Sequence, residues 1–394
     1  AEEEPGETRL QDVTKWYEHF SHKRINPPTP NFTNLGTNLR GYASCCLYTV
    51  DDNVHSLATG DHIAYIMTAM SAGIGAHMKT RSIGDHVRQG LIEHQGKLPY
   101  YKSLVGAIGA NLQNGRGGAA TVHYTCFDPE VEVIHKLKNP MTPANKQVRG
   151  CDYSFGSNKF FARRVARNED IALFSYADAP ELYEAQYDKD QNLFEKLYNK
   201  FLESDKPRTT ISARKLLINV SNEAYETGRH YIHLMDTINK HTPFKGKIYS
   251  SNLCQEICEP TKPYKNVAQL YEAWNEDHGE IALCNLAGII VSNIENDEQY
   301  ADVAYYALKM IDKTISLTKY TFKSLEDTSK ARMNAGVGIL GLAHLMAKKG
   351  LKYSSQTGKD FIHELFETHY WHLLNASLRL GKDLGNAKWM DKTL

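Results

Sequence analysis

Short β-prone runs alternate along this chain with longer stretches of helical spacing: Cys45–Val50 precedes a helical pattern over residues 61–71, and residues 171–176 precede one over Asn192–Leu202. Strands that alternate with helices are joined by crossovers, and crossovers give a parallel sheet with helices on its faces. The pattern therefore predicts an α/β fold. Around residues 303–315, Val303, Ala307, Ile311 and Ile315 recur every four positions while Lys309, Asp312 and Lys313 fall off that stripe. Such a helix buries one face. The run 281–287 is almost continuously apolar around Cys284 and goes on through Gly288 to Val291, which suits a strand covered on both faces. Residues 1–26 read as an irregular lead-in with one short helix near residues 10–20, and no linker, repeat or low-complexity tract marks a boundary within residues 27–394.

Composition narrows the function classes. The 46 basic and 46 acidic residues cancel, so the chain has no overall basic field to hold a nucleic-acid polymer, and small anionic ligands remain open. At 41% hydrophobic, the sequence is neither disordered nor collagen-like; 394 residues suggest two or three domains, although single α/β barrels reach this size, so one domain stays open. The acidic start, AEEEPGET, is unlike a secretory signal, and no run approaches the ~18 apolar residues of a membrane span. The chain reads as cytoplasmic. Its seven cysteines, an odd number in a long chain, are then expected to be thiols.

Several local motifs fail on context. Gly336, Gly338 and Gly341 spell G-x-G-x-x-G, but the polar stretch 329–335 leaves no strand for a dinucleotide fingerprint to follow, and the glycines are read instead as close packing of a helix over 337–346. Residues 90–97 resemble a phosphate loop with misplaced glycines and Leu98 where a hydroxyl belongs. His363 and His369 are six apart, too far to share a ligand face, and read as helix-surface histidines. Cys254 and Cys258 lack the second ligand pair of a structural zinc site. Residues 113–121, QNGRGGAAT, place Arg116 among glycines whose backbone can approach an anion or base closely, or simply make a turn.

The segment 250–257, SSNLCQEI, carries more chemistry. Asn252, Cys254 and Glu256 stand at i, i+2 and i+4, so in an extended loop an amide, a thiol and a carboxylate share one face. An amide orients a hydroxyl, a carboxylate accepts its proton, and a thiol acts as nucleophile or hydrogen-atom donor. An ordinary loop that happens to alternate is the plain alternative.

With these residues in view, the chain resembles the large, catalytic subunit of ribonucleotide reductase, most like the class I enzymes. The likeness runs in family order from Thr29-Pro30 and NLGT through ASCCL, AGIG, GRGGAAT, VRGCDY, NEDIALFS, HTPF, SNLCQEI, EIALC and GVGILGLAH to KWM, over nearly all of residues 27–390. It implies a ten-stranded α/β barrel with a central finger loop carrying a radical cysteine. By the same resemblance Cys254 is the cysteine that becomes a thiyl radical, Glu256 the base for the ribose 3′ hydroxyl, and Asn252 the amide that orients the hydroxyls. Cys45 and Cys284 are the dithiol that supplies two electrons, while Cys46, one residue on, turns to the other side of its strand. Thr29 and Ser44 fall at substrate-diphosphate positions, and the backbone of Gly73 approaches the ribose. Asp52, Arg81 and Arg116 fall at positions that hold a deoxynucleoside triphosphate or ATP effector.

The resemblance also implies partners: a homodimer, a metal-containing small subunit that supplies the radical, and a thioredoxin- or glutaredoxin-type reductant, with no cofactor or metal bound by this chain. Only 28 residues precede Thr29, so the family's ATP-cone and its on/off control are expected to be lacking. The chain stops at Leu394, before the family's radical-transfer tyrosines and C-terminal cysteine pair, so these residues alone are not expected to turn over, and a second chain or further residues would complete the barrel. Two alternatives share the same motifs: an adenosylcobalamin-dependent reductase, and a non-catalytic nucleotide-binding fragment with idle cysteines.

Overall fold

A computed structural model of the chain describes residues 6–111, 118–206 and 209–393. Contacts divide it into two compact units, one built on residues 45–283 with 320–328 and 391–394, the other on residues 1–44, 284–319 and 329–390.

The first of these units is a parallel α/β sheet. Strands β1 (Cys45–Val50), β2 (Gly73–Met78), β3 (Ala120–Thr125), β4 (Asp152–Ser157) and β5 (His230–Leu234) lie side by side in that order, every neighbouring pair parallel, and Ala282 and Leu283 of β6 (Ala282–Cys284) continue the sheet beyond β1. The local sequence explains the first crossover. Asp51, Asp52 and Asn53 end β1, and the Asn53 carboxamide accepts the Ser56 N–H at 2.8 Å to cap helix α1 (Val54–Ala69). Ser71, at φ +73°, turns the chain out of the helix and into β2. Helix α1 packs against β1 and β2, and α2 (Leu98–Gly109) packs against α1 and β3. Ile74, Ala76 and Val122 point toward this helical layer and are wholly buried.

The second unit contains the helices Gly6–Ser21, Asp297–Leu317 and Gln356–Leu384 with a small sheet. In that sheet, Leu286–Ile290 pairs antiparallel with Ile25–Asn26 and parallel with Gly336–Leu340. The stripe Val303, Ala307, Ile311 and Ile315 is buried as its spacing requires, packed with Ile289, Ala376 and Leu380. Lys309 falls off the stripe and is buried nonetheless, its Nζ 2.6 Å from Asp12 Oδ2. An ion-pair partner from a distant helix decides that burial, which helical spacing alone does not encode.

Asp302 on the same helix lies 2.8 Å from Lys15 Nζ and 3.3 Å from His19 Nε2. The contact with His19, then that with Lys15, holds its carboxyl down at about 2. A carboxyl lowered on folding adds stability above its unfolded value, and that stability is lost as pH falls toward the folded value. Asp302 is partly solvated, so the contribution is only about 1 kcal/mol after screening. Asp302→Asn should remove roughly that much of the protein's stability at pH 6 and flatten its loss between pH 4 and 2, read by urea unfolding at each pH. An unchanged acid limb would show that the pair contributes nothing.

Three local expectations are corrected here. The glycine-rich run is a strand, Gly336–Leu340, rather than a helix, because its backbone pairs rung by rung with Leu286–Ile290, and Gly341 at φ +74° then starts a short helix. The apolar run 281–291 breaks at Asn285 into two strands of different sheets, with the Asn285 carbonyl accepting the Gly336 N–H at 2.9 Å. His363 is on the helix surface, but His369 is buried, between the Tyr300 hydroxyl at 2.8 Å and the Val337 carbonyl at 2.9 Å. Among the described residues no helix is long and apolar enough to cross a membrane.

Candidate functional site

Segment 250–257 lies on the face of the large sheet opposite its helices. Ser250, Ser251 and Asn252 are wholly buried, whereas Cys254 and Glu256 are exposed. The segment is a tight turn and not the extended loop that alternation predicts. Gln255 takes a left-handed backbone, φ +68°, and the Asn252 side chain closes the turn by accepting the Ile257 N–H at 3.0 Å on Oδ1. Asn252 therefore points inward while Cys254 and Glu256 share the outer side. A side chain that caps its own loop overrides period-2 alternation, because the orphan backbone donors of a turn must find acceptors.

The strands beneath supply a seat. At Gly75 a Cβ would stand 2.3 Å from the Ser251 carbonyl oxygen and 2.8 Å from Asn252 Cα, so the turn's backbone occupies the space a side chain would fill. At Gly73 the neighbour is the Leu253 side chain, 2.5 Å from the same virtual atom. Thr121 Oγ1 donates to the Leu253 carbonyl at 2.7 Å, His123 Nε2 lies 2.9 Å from the Ser251 carbonyl, and Ser154 Oγ donates to Gln255 Oε1 at 2.9 Å. Tyr249, which leads into the turn, stacks on His77 and donates its hydroxyl to Glu184 at 2.6 Å. The turn is thus fastened along its length.

Cys45 opens β1 and pairs across the ladder with Gly73, directly below Leu253. Burial, then the Glu256 carboxylate, then Cys45 push the Cys254 thiol above its ordinary value, and Arg229 opposes them weakly. Glu256 and Cys45 therefore each lie within electrostatic reach of Cys254. A thiol held up in this way stays S–H at neutral pH, which suits hydrogen-atom transfer better than thiolate attack. Cys46, turned to the helical face, is wholly buried and raised further by burial.

The remaining expected site residues fall elsewhere. Cys284 belongs to the second unit and is wholly buried, its carbonyl accepting the Ser44 N–H at 3.1 Å. Ser44 Oγ is buried without a hydrogen-bond partner among the described residues. Thr29 starts the short helix Thr29–Asn34 and is exposed. Asp52 and Arg81 bind each other, Arg81 Nε to Asp52 Oδ2 at 2.7 Å and the Arg81 N–H to Oδ1 at 3.1 Å. Arg116 lies outside the described residues. Among those residues no group of three His, Cys, Asp or Glu converges as a metal-ligand set, and all seven cysteines are thiols.

A profile of the ribonucleotide reductase barrel domain matches residues 43–393. The chain belongs to this family. It is also similar to ribonucleoside-diphosphate reductase subunit alpha of Haemophilus influenzae, 34% identical over 99% of this chain and 51% of that protein. The Escherichia coli K12 ribonucleoside-diphosphate reductase 1 subunit alpha is 34% identical over the same shares, and the phage T4 subunit alpha 31% identical over 98% of this chain and 50% of its own length. The chain thus spans about half the length of these relatives. Within this reductase-family chain, sequence reasoning passed over Gly75, Thr121, His123, Ser154 and Gln255. The signal available for the first three was strand period: Gly75 lies two residues from Gly73, and Thr121 two from His123.

Proposed function

We propose that this chain is the substrate-reducing part of a ribonucleoside-diphosphate reductase that works by a thiyl-radical mechanism. The observation that carries it is the seating of Cys254, on a turn fastened over Gly73 and Gly75, with Glu256 and Cys45 close enough to shift its thiol. Family membership and the names of the relatives support the substrate class. In this reading residues 27–394 belong to one catalytic domain with the fold of a ten-stranded α/β barrel, and the Cys254 turn is its central finger.

The chemistry balances on three sulfurs. A Cys254 thiyl takes the 3′ hydrogen atom, and Glu256 takes the proton of the 3′ hydroxyl. The 2′ oxygen leaves as water, and two electrons with their protons come from Cys45 and Cys284, which become a disulfide. Of the two thiol hydrogens one ends on C2′ and one leaves in the water, Glu256 gives its proton back to the 3′ oxygen, and Cys254 returns a hydrogen atom to C3′ and is again a thiyl. Asn252 closes the turn that carries Cys254 and Glu256, Gly73 lines the ribose side, and Thr29 with Ser44, whose buried hydroxyl lacks a hydrogen-bond partner among the described residues, holds the diphosphate. A small subunit supplies the radical, a thioredoxin-type protein reduces the disulfide, and an effector deoxynucleotide bound at a homodimer interface contacts Asp52, Arg81 and Arg116. The setting is the cytoplasm.

The test is a single turnover without external reductant in the complete reductase with its C-terminal cysteine pair changed to serine, so that no internal dithiol can re-reduce the site. One deoxynucleotide per site should form together with a Cys45–Cys284 disulfide, read by alkylation and peptide mapping. Product formed while both thiols remain alkylatable would overturn the assignment.

A further inference from the structure

We propose that Gln255, clamped by Ser154, is the positioning residue for Cys254, and this rests on reading Cys254 as the reactive thiol. Three alternate residues of the turn each hand an acceptor to the sheet. The Ser251 carbonyl meets His123, the Leu253 carbonyl meets Thr121, and the Gln255 side-chain oxygen meets Ser154. Cys254 lies between the second and third of these anchors, and only the third is a side chain of the turn itself.

The Gln255 carboxamide is used at both ends. Its oxygen accepts from Ser154 at 2.9 Å, and its nitrogen donates to the Asn252 carbonyl at 3.0 Å. The side chain therefore ties the turn's entrance to strand β4 and holds its own backbone at φ +68°, a conformation that costs a non-glycine residue about 1–2 kcal/mol. Without the clamp the favoured backbone is right-handed or extended, and either one swings the neighbouring Cys254 away from Glu256 and Cys45.

His123 completes the frame without competing for the carboxamide. A backbone carbonyl only accepts, so the 2.9 Å contact with Ser251 requires that Nε2 carry the hydrogen. The Gln255 nitrogen, 3.4 Å from that same atom, then has no acceptor there, which leaves the Asn252 carbonyl as its partner. His123 packs edge-on against His233, and burial keeps it neutral. The frame is thus set by neutral hydrogen bonds of fixed direction.

The test uses Gln255→Leu and Ser154→Ala, the first close in size and the second a loss of one hydroxyl. In the complete reductase each should lower kcat roughly ten- to thirtyfold with KM for the nucleotide changed less than about twofold, since misplacing a reacting atom costs rate more than binding. The double variant should be little worse than either single one, because both break the same bond. Independently of turnover, iodoacetamide labelling of Cys254 against pH, read by mass spectrometry, should show its titration moving down toward an ordinary thiol in both variants. Wild-type kcat with a wild-type labelling profile in both variants would overturn the proposal. Retained activity in Cys254→Ser would instead sink the radical-cysteine reading while leaving the labelling result standing.

Discussion

Cys254→Ser in the complete reductase is expected to reduce deoxynucleotide formation to background, a loss of at least about a thousandfold, because the proposed mechanism makes the residue a chemical centre and not one binding contact among several. Serine keeps the size and the hydrogen-bonding role, but its O–H bond is too strong to exchange hydrogen atoms with a carbon centre. The side chain is exposed and fills no cavity, so the melting temperature should move by about 1 °C or less. The measurement is radiolabelled nucleotide reduction beside a thermal melt of the same preparation. A melt unchanged and activity retained would remove Cys254 from the mechanism, and with it the proposed function.

Gly75→Ala is expected to cost about 2 kcal/mol of stability and roughly a hundredfold in turnover, from one added methyl. Its Cβ would meet backbone on two sides, the Ser251 carbonyl oxygen at 2.3 Å and Asn252 Cα at 2.8 Å, and backbone cannot rotate out of the way as a side chain can. The turn must lift, and the bonds from Thr121, His123 and Ser154 lengthen together. Gly73→Ala provides the contrast. Its Cβ would press on the end of the Leu253 side chain, which can change rotamer, so the stability loss should stay below about 1 kcal/mol. Thermal unfolding of both variants beside the parent decides the matter, and equal tolerance at the two positions would mean that the turn is not seated on the sheet as described.

Much of this architecture is legible in the residues alone, for reasons that can be named. Cys45–Val50 and Asn192–Leu202 have the structure their spacing predicts because their hydrophobic period agrees with their burial. The helix at Val54–Ala69 begins earlier than its apolar pattern because the Asn53 cap, not hydrophobic spacing, sets its start. Gly336–Leu340 escapes local reading because its partner strand lies some fifty residues earlier, and pairing overrides a weak intrinsic preference. Lys309 and His369 are buried by partners remote in sequence, Asp12 in one case and Tyr300 with Val337 in the other. At the site, Cys254, Glu256 and Cys45 could be singled out as residues that carry chemistry. The hidden part was the scaffold beneath them, a glycine with no side chain and three hydrogen-bonding side chains whose roles exist only once the turn has landed.

The raised Cys254 thiol, exposed as it is, has a consequence for the lifetime of the protein. Peroxides and electrophiles attack thiolates, so a cysteine that stays protonated in the open is slow to form sulfenic acid or adducts. Burial, and after it Glu256, thereby shield the sulfur against two-electron damage while leaving its S–H bond available to the one-electron oxidant of the proposed mechanism, so that on this reading the site can stand open to a sugar without being consumed by the solvent that brings it.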